Sequence, residues 1–149
     1  MPRKPQRSTS GRDAQGRSDA RGQKLAGTIA VVAGATRGAG RGIARALAEA
    51  GAKVYCTGRS LRGNPSPYNR PETIEETAEM ISAAGGSAVA LRVDHTVEAE
   101  VEALFQRVDR ECGRLDLLVE HRASSGKEAL GITAIHRKGS GREPLLFPP

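Results

Sequence analysis

The hydrophobic positions of the chain alternate between short β-branched runs and longer stretches with helical spacing. The runs at residues 28–33, 53–57, 88–93 and 115–119 are short and apolar, as buried parallel strands are. Between them, apolar residues recur at intervals of three and four along residues 40–50, 74–81 and 97–108. This alternation predicts βαβ units, which build a parallel sheet with helices on both faces.

Two of the predicted helices begin with residues typical of N-caps. Thr73 and Glu76 have the spacing of a capping box at the start of the second helix. Thr96 precedes the third helix, and acidic residues at positions 98, 100 and 102 favour the positive end of its dipole. We therefore expect Thr73 and Thr96 to cap these helices.

The two ends of the chain lack this pattern. Residues 1–24 contain no Leu, Ile, Val or aromatic residue, which predicts a disordered basic tail. Residues 120–149 have no clean period of 2 or 3.6, which predicts a divergent and poorly ordered C-terminal segment. The predicted domain is thus 25–119. The edge of its fourth strand would be open or covered by the following segment, and an open edge would favour self-association.

The positive charge also belongs to the ends. The net charge of +6 divides into +5 for residues 1–24, −1 for residues 25–119 and +2 for residues 120–149. Because a nearly neutral domain cannot supply the phosphate contacts that nucleic acids need, specific nucleic-acid binding is not predicted. Weak association through the Arg- and Gly-rich tails stays open as an alternative.

Composition excludes some other classes. Mean hydropathy is −0.44, and no apolar stretch approaches the roughly 20 residues of a membrane span. Cys56 and Cys112 have neither CxxC nor His spacing, so we predict neither a disulfide framework nor a metal site. The N-terminal tail lacks the apolar centre of a secretory signal, which favours a cytoplasmic location, with an organellar presequence as the alternative.

A glycine-rich turn joins the first predicted strand to the first predicted helix. Gly34, Gly38 and Gly40 stand in Gly-x3-Gly-x-Gly spacing. Glycine there permits positive φ and lets the backbone approach a pyrophosphate, whose charge meets the free N–H groups of the helix start. The placement predicts dinucleotide binding, and the alternative is a tight turn without a ligand. A P-loop is excluded because no Gly-Lys-Ser/Thr follows.

At this point a family resemblance is specific. The segment LAGTIAVVAGATRGAGRGIARALAEAGAKVYCTGRS, residues 25–60, resembles the opening of a short-chain dehydrogenase/reductase, with Ala33 where the family usually has Thr. Asp94 and the run GRLDLLV at residues 113–119 follow at further landmarks of the family. The resemblance covers residues 25–119. It implies the N-terminal, cofactor-binding half of the family's α/β fold, a Rossmann-like doubly wound parallel sheet truncated after the fourth strand, with order 3-2-1-4.

The end of the second predicted strand indicates which cofactor is bound. An NAD site needs a carboxylate there for the ribose hydroxyls, and this sequence has Arg59 instead. Arg59 and Arg37 could hold a 2′-phosphate through charge-assisted hydrogen bonds, which favours NADP(H), although Arg59 as an exposed loop residue is the alternative. By resemblance Asp94 would bind the adenine amino group, unless it is only a loop acid before a helix. The predicted cofactor-binding residues are Gly34, Thr36, Arg37, Gly38, Ala39, Gly40, Arg59 and Asp94.

The residues that the resemblance implies for hydride transfer are missing. The family uses a Tyr-x3-Lys pair downstream of the fourth strand, whereas Tyr55 and Tyr68 both precede that strand and neither has a Lys four residues later. The family's Asn-Asn-Ala-Gly is replaced by Glu-His-Arg-Ala at residues 120–123. A substitute site would need a rigid scaffold that the surrounding sequence does not predict. Its members would be His121, Ser124, Ser125 and Lys127.

We therefore predict the NADP(H)-binding portion of a short-chain dehydrogenase/reductase-type oxidoreductase, catalytically incompetent as this chain stands and with no catalytic residue assigned. A small carbonyl or alcohol would be its substrate only if the chain continued in the family pattern. The break after Val119 is compatible with a frameshift, an alternative end or a real product. The alternative from another class is a non-enzymatic NADP(H)-sensing or partner-binding module with a basic disordered tail.

Overall fold

The computed structural model describes residues 24–66, 69–124 and 127–134, with the backbone alone from residue 121 onward. Most of the predicted N-terminal tail and residues 135–149 lie outside these ranges. The described elements alternate as predicted through the fourth strand. They are β1 (Ile29–Ala33), α1 (Gly38–Glu49), β2 (Lys53–Gly58), α2 (Ile74–Ala83), β3 (Ser87–Arg92), α3 (Glu98–Cys112), β4 (Leu117–Ser124) and β5 (Lys127–Ala134).

The sheet confirms the predicted strand order. Its strands are arranged β3-β2-β1-β4-β5, and the first four of these are parallel to one another. Strand β1 is central, with Val31 opposite both Tyr55 of β2 and Leu118 of β4. The carboxyl ends of β1, β2 and β3 therefore lie together at one edge of the sheet.

The fourth strand continues further than the sequence pattern indicates. We expect no regular structure after Val119, but β4 extends to Ser124, and β5 pairs with it antiparallel from Leu117↔Ala134 to Ser124↔Lys127. Of the two outcomes left open for the edge of the fourth strand, the structure shows the covered one. The outermost described strand on that side of the sheet is therefore β5 and not β4, and self-association through the sheet edge stays a prediction.

The helix starts match one of the two predicted caps. The N–H of Glu76 donates to Thr73 Oγ1 at 3.2 Å, so the predicted cap of α2 is confirmed. The prediction for Thr96 is wrong, because Val97 is the N-cap of α3 and makes no side-chain cap bond. The hydroxyl of Thr96 donates instead to Asp94 Oδ1 at 2.6 Å. The Thr96 hydroxyl therefore bonds to the Asp94 carboxylate and does not cap the helix.

The alternating side chains of the strands supply one hydrophobic core on each face of the sheet. Ala30 and Val32 of β1 pack with the first core, which contains Ala44 and Ala48 of α1. Ile29 and Val31 pack on the other face with α3. Among the described residues, none of the helices is both long enough and apolar enough to cross a membrane. The two cores fix α1 and α3 on opposite faces, with the glycine turn at the carboxyl edge between β1 and α1.

Candidate functional site

The glycine turn has backbone conformations that favour glycine. Gly34 and Gly38 have φ values of +82° and +55°, in the left-handed region. Gly40 is required for a different reason, since a Cβ atom there would overlap the carbonyl oxygen of Gly34 and lie 2.8 Å from its carbonyl carbon. The first turn of α1 is thus packed directly against the turn that leaves β1.

The start of α1 has N–H groups for which the described residues provide no side-chain cap. Its N-cap is Arg37, in an extended conformation and without a side-chain cap bond, and no acidic residue lies in the first turn. The first N–H groups of a helix have no partners within it and carry the positive end of its dipole. An uncapped start of this kind, beside the close backbone approach at Gly40, is suited to binding an anion.

A polar network between α1 and α2 supports the turn. The hydroxyl of Thr77 is fully buried and donates to the carbonyl oxygen of Ala35 at 2.8 Å. Arg41 Nε donates to the same Thr77 oxygen at 2.9 Å, and Arg41 Nη2 donates to Glu76 Oε2 at 2.8 Å. Sequence reasoning missed Thr77 and Arg41, because their partners lie more than 30 residues away. The network fixes Ala35, and with it the course of the turn.

Strand β2 supports the turn from its other side. The N–H groups of Gly34 and Ala35 both donate to the carbonyl oxygen of Thr57 at 3.0 Å. The Thr57 hydroxyl donates to Val32 O at 3.1 Å and lies 2.7 Å from His95 Nε2. The sequence context of His95 predicts a solvated side chain. This prediction is wrong, because the residue is half-buried against β2. A hydroxyl that donates to Val32 leaves its oxygen to accept from His95.

Arg37 is flanked by an acidic side chain from the loop before α2. Arg37 Nη1 lies 3.8 Å from Glu72 Oε2, and Arg70 Nη2 lies 3.3 Å from Glu72 Oε1. The Arg70 guanidinium, bonded to Glu72, lowers the pKa of that carboxyl, and Arg37 adds to the effect. Arg37 Nη1 is nonetheless buried and has no hydrogen-bond partner among the described residues. This nitrogen therefore has a hydrogen-bond donor that an anionic ligand could use.

The other two predicted residues follow the neighbouring strands. Arg59 comes directly after β2 and is partly buried, and Asp94 follows β3. Asp94 Oδ1 accepts from the backbone N–H of Thr96 at 2.9 Å as well as from its hydroxyl. These bonds lower the pKa of Asp94, and Arg59 lowers it further through its charge. The sheet thus brings Arg59 and Asp94 to the edge that holds the glycine turn.

All eight predicted cofactor-binding residues therefore belong to one edge of the sheet. Six of them form the continuous turn from β1 into α1, in which Thr36 and Gly40 are buried while Gly38 and Ala39 are exposed. Arg59 and Asp94 complete the edge at β2 and β3. Within the described ranges, no group of three or more His, Cys, Asp or Glu residues could hold a metal ion.

Tyr55 is unavailable for proton transfer at this edge. It is fully buried in the core on the α3 side, where its hydroxyl donates to Glu111 Oε2 at 2.6 Å and lies 3.2 Å from Cys112 Sγ. Burial, with the hydrogen bonds to Cys112 and Glu111, raises the pKa of Tyr55 above its usual value. Tyr68 lies outside the described residues.

Comparison with known proteins gives a consistent answer. The family model described as short chain dehydrogenase matches residues 28–130. A mouse protein named dehydrogenase/reductase SDR family member 1 is 44% identical over 107 residues, which are 71% of this chain and 31% of the mouse protein. The human protein of the same name is 45% identical over 98 residues, 65% of this chain and 28% of that protein. The chain thus spans less than a third of the length of these relatives.

A solved structure agrees with the sequence matches. A metagenomic short-chain oxidoreductase, crystallised in complex with NADP, superposes with a TM-score of 0.56 at 33% identity and covers 64% of this chain and 39% of its own. Because the family model matches well over half of the chain and the sheet has the strand order that the resemblance implies, this chain belongs to the short-chain dehydrogenase family of oxidoreductases.

Proposed function

We propose that this chain binds NADP(H) at the carboxyl edge of β1, β2 and β3. The observation that carries the proposal is the uncapped start of α1 beside Arg37, whose Nη1 is buried without a hydrogen-bond partner in the described part of the chain. Members of the family bind nicotinamide dinucleotides, and the structural neighbour described above contains NADP. The residues present fit such a group.

The pyrophosphate and the adenosine half of the cofactor have matching features in this chain. The N–H groups at Gly38, Ala39 and Gly40 would meet the pyrophosphate, because the missing Cβ of Gly40 allows the close approach. Arg37 and Arg59 would hold the 2′-phosphate. The 2′-hydroxyl of NAD(H) would find no carboxylate after β2, where that cofactor requires one. Asp94 would bind the adenine amino group at the end of β3.

The preference for a 2′-phosphate is tested by fluorescence titration with NADPH and NADH. We expect tighter binding of NADPH, and we expect Arg59→Asp to weaken NADPH by about 10-fold or more, since charge-assisted bonds are worth about 1.5–3 kcal/mol. Arg62→Asp is the matched control, because it changes the net charge by the same two units and Arg62 is exposed and paired with Glu79 at 2.8 Å. Equal affinities for the two cofactors, or an unchanged NADPH affinity in Arg59→Asp, would refute the preference.

We further propose that this 149-residue chain does not transfer hydride by the family's tyrosine mechanism. The buried bond between Tyr55 and Glu111 supports this, together with the lack of any tyrosine after Val119 in the sequence. When bound, the cofactor would supply the hydride, but a positioned acid is typically worth 10² to 10⁴-fold in rate. Incubating the chain with NADPH and small carbonyls, and following absorbance at 340 nm, tests this directly.

The same experiments separate enzymatic from non-enzymatic use of the site. Binding of NADPH without turnover would favour an NADP(H)-sensing or partner-binding module, which is the second candidate function. Reduction of any carbonyl at a rate proportional to the concentration of the chain would favour an enzyme instead. Tyr55→Phe is the control in that case, because a buried tyrosine outside the site should not change the rate.

A further inference from the structure

The loop before α2 places an acidic group against the arginine that the proposed function assigns to the 2′-phosphate. Glu72 Oε2 lies 3.8 Å from Arg37 Nη1, and the side chains of Arg37 and Glu72 are 32% and 26% exposed. A carboxylate at this place carries the same sign of charge as a phosphate and faces the same guanidinium. No such role follows from the sequence, in which residues 37 and 72 are far apart.

We propose that Glu72 is a specificity-determining residue, an internal anion that competes with the 2′-phosphate for Arg37 and so reduces the preference of the chain for NADP(H) over NAD(H). This inference rests on the proposed function. Glu72 must move aside, or stay and repel the phosphate, whenever the phosphorylated cofactor binds. A cofactor without that phosphate leaves the contact between Arg37 and Glu72 intact.

The geometry explains how the 2′-phosphate can displace Glu72 from Arg37. The distance of 3.8 Å permits attraction but no hydrogen bond, so Arg37 Nη1 keeps a buried donor that Glu72 does not satisfy. A phosphate oxygen can accept from this donor and can form a charge-assisted bond. Glu72 in turn keeps a second cation, since Arg70 Nε and Nη2 donate to it at 3.4 and 3.3 Å. When Glu72 is displaced from Arg37, the Glu72 carboxylate therefore still has Arg70 as a partner.

A matched pair of substitutions isolates this contact. Glu72→Gln and Glu79→Gln each remove one negative charge from the same part of the chain. Glu79 pairs with Arg62 and not with Arg37. We expect Glu72→Gln to tighten the binding of NADPH about fivefold, because the substitution removes one partly exposed ion pair that competes with the phosphate. The affinity for NADH should change by less than about twofold. Glu79→Gln should leave both affinities within about twofold, and Glu72→Ala should act in the same direction as Glu72→Gln.

The gain must also depend on Arg37. In an Arg37→Gln background the effect of Glu72→Gln on NADPH should disappear, because the double-mutant cycle then contains no competing pair. The inference is overturned if Glu72→Gln leaves the ratio of NADPH to NADH affinity unchanged, if Glu79→Gln gives an equal gain, or if the gain persists without Arg37. A wild-type chain that binds neither cofactor would instead overturn the proposed function and this inference with it.

Discussion

The close approach of α1 to the glycine turn can be tested with two glycines of the same helix. Gly40→Ala would place a Cβ atom over the carbonyl oxygen of Gly34 and 2.8 Å from its carbonyl carbon. Both are backbone atoms, so no flexible side chain can move away. Gly42→Ala would place its Cβ atom in open space, with nothing within 4 Å. The second substitution is the control for the helix itself.

The two substitutions should change the free energy of unfolding in opposite directions. Overpacking typically costs about 1–3 kcal/mol, and contact with backbone atoms puts the cost of Gly40→Ala at the upper end of this range, about 3 kcal/mol. Replacing a glycine inside a helix by alanine stabilises the helix by about 1 kcal/mol. We therefore expect Gly40→Ala to lower the free energy of unfolding by about 2 kcal/mol, and Gly42→Ala to raise it by up to about 1 kcal/mol.

Both variants are measured by urea and thermal denaturation followed by circular dichroism, and by NADPH titration of the folded protein. We expect Gly40→Ala to lower Tm by about 10 °C, the scale expected for about 2 kcal/mol in a domain of this size. Gly40→Ala should also weaken the binding of NADPH, since α1 must shift away from the turn. If Gly40→Ala is as stable as Gly42→Ala and binds NADPH as the wild type does, the argued packing of α1 against Gly34 is refuted.

Four further predictions concern buried or hydrogen-bonded groups. Thr77→Val should cost about 1–3 kcal/mol in urea denaturation, because it leaves the carbonyl of Ala35 without its donor, and Thr77→Ser should restore most of the loss. The raised pKa of Tyr55 means that stability is complete below the unfolded pKa and falls as pH rises above about 10, and denaturation of Tyr55→Phe should lack this contribution. The lowered pKa of Asp94 means the reverse, so Asp94→Asn should lack a contribution that the wild type loses as pH falls below about 4. Burial raises the pKa of Cys56 to about 12, so a thiol reagent at pH 8 should modify it in the denatured chain but not in the native one.

The fold was predictable from the sequence where it depends on local periodicity. The alternation of apolar runs identifies β1 to β4 within two residues at most ends, except that β4 continues to Ser124. Glycine spacing identifies the turn, because positive φ at Gly34 and Gly38 is a local requirement. The cap at Thr73 is equally local, since its partner Glu76 lies three residues away.

The sequence did not predict features that depend on distant partners. Strand β5 is stabilised by pairing with β4 rather than by a period of its own. The hydroxyl of Thr96 has two possible partners, the helix end and Asp94, and only the folded loop decides between them. The contacts of His95 with Thr57 and of Glu72 with Arg37 join segments 38 and 35 residues apart. No local pattern encodes such pairs.

The supports of the proposed cofactor site and the groups for hydride transfer have different origins in the chain. Thr57, Thr77 and Arg41 hold the glycine turn by hydrogen bonds that all lie between β1 and α2. Arg59 follows β2 and Asp94 follows β3, and β2 pairs with both β1 and β3. The family's tyrosine pair would instead come after β4. The proposed cofactor binding and the proposed lack of hydride transfer can therefore be tested separately, and a titration with NADPH tests the first without requiring the second.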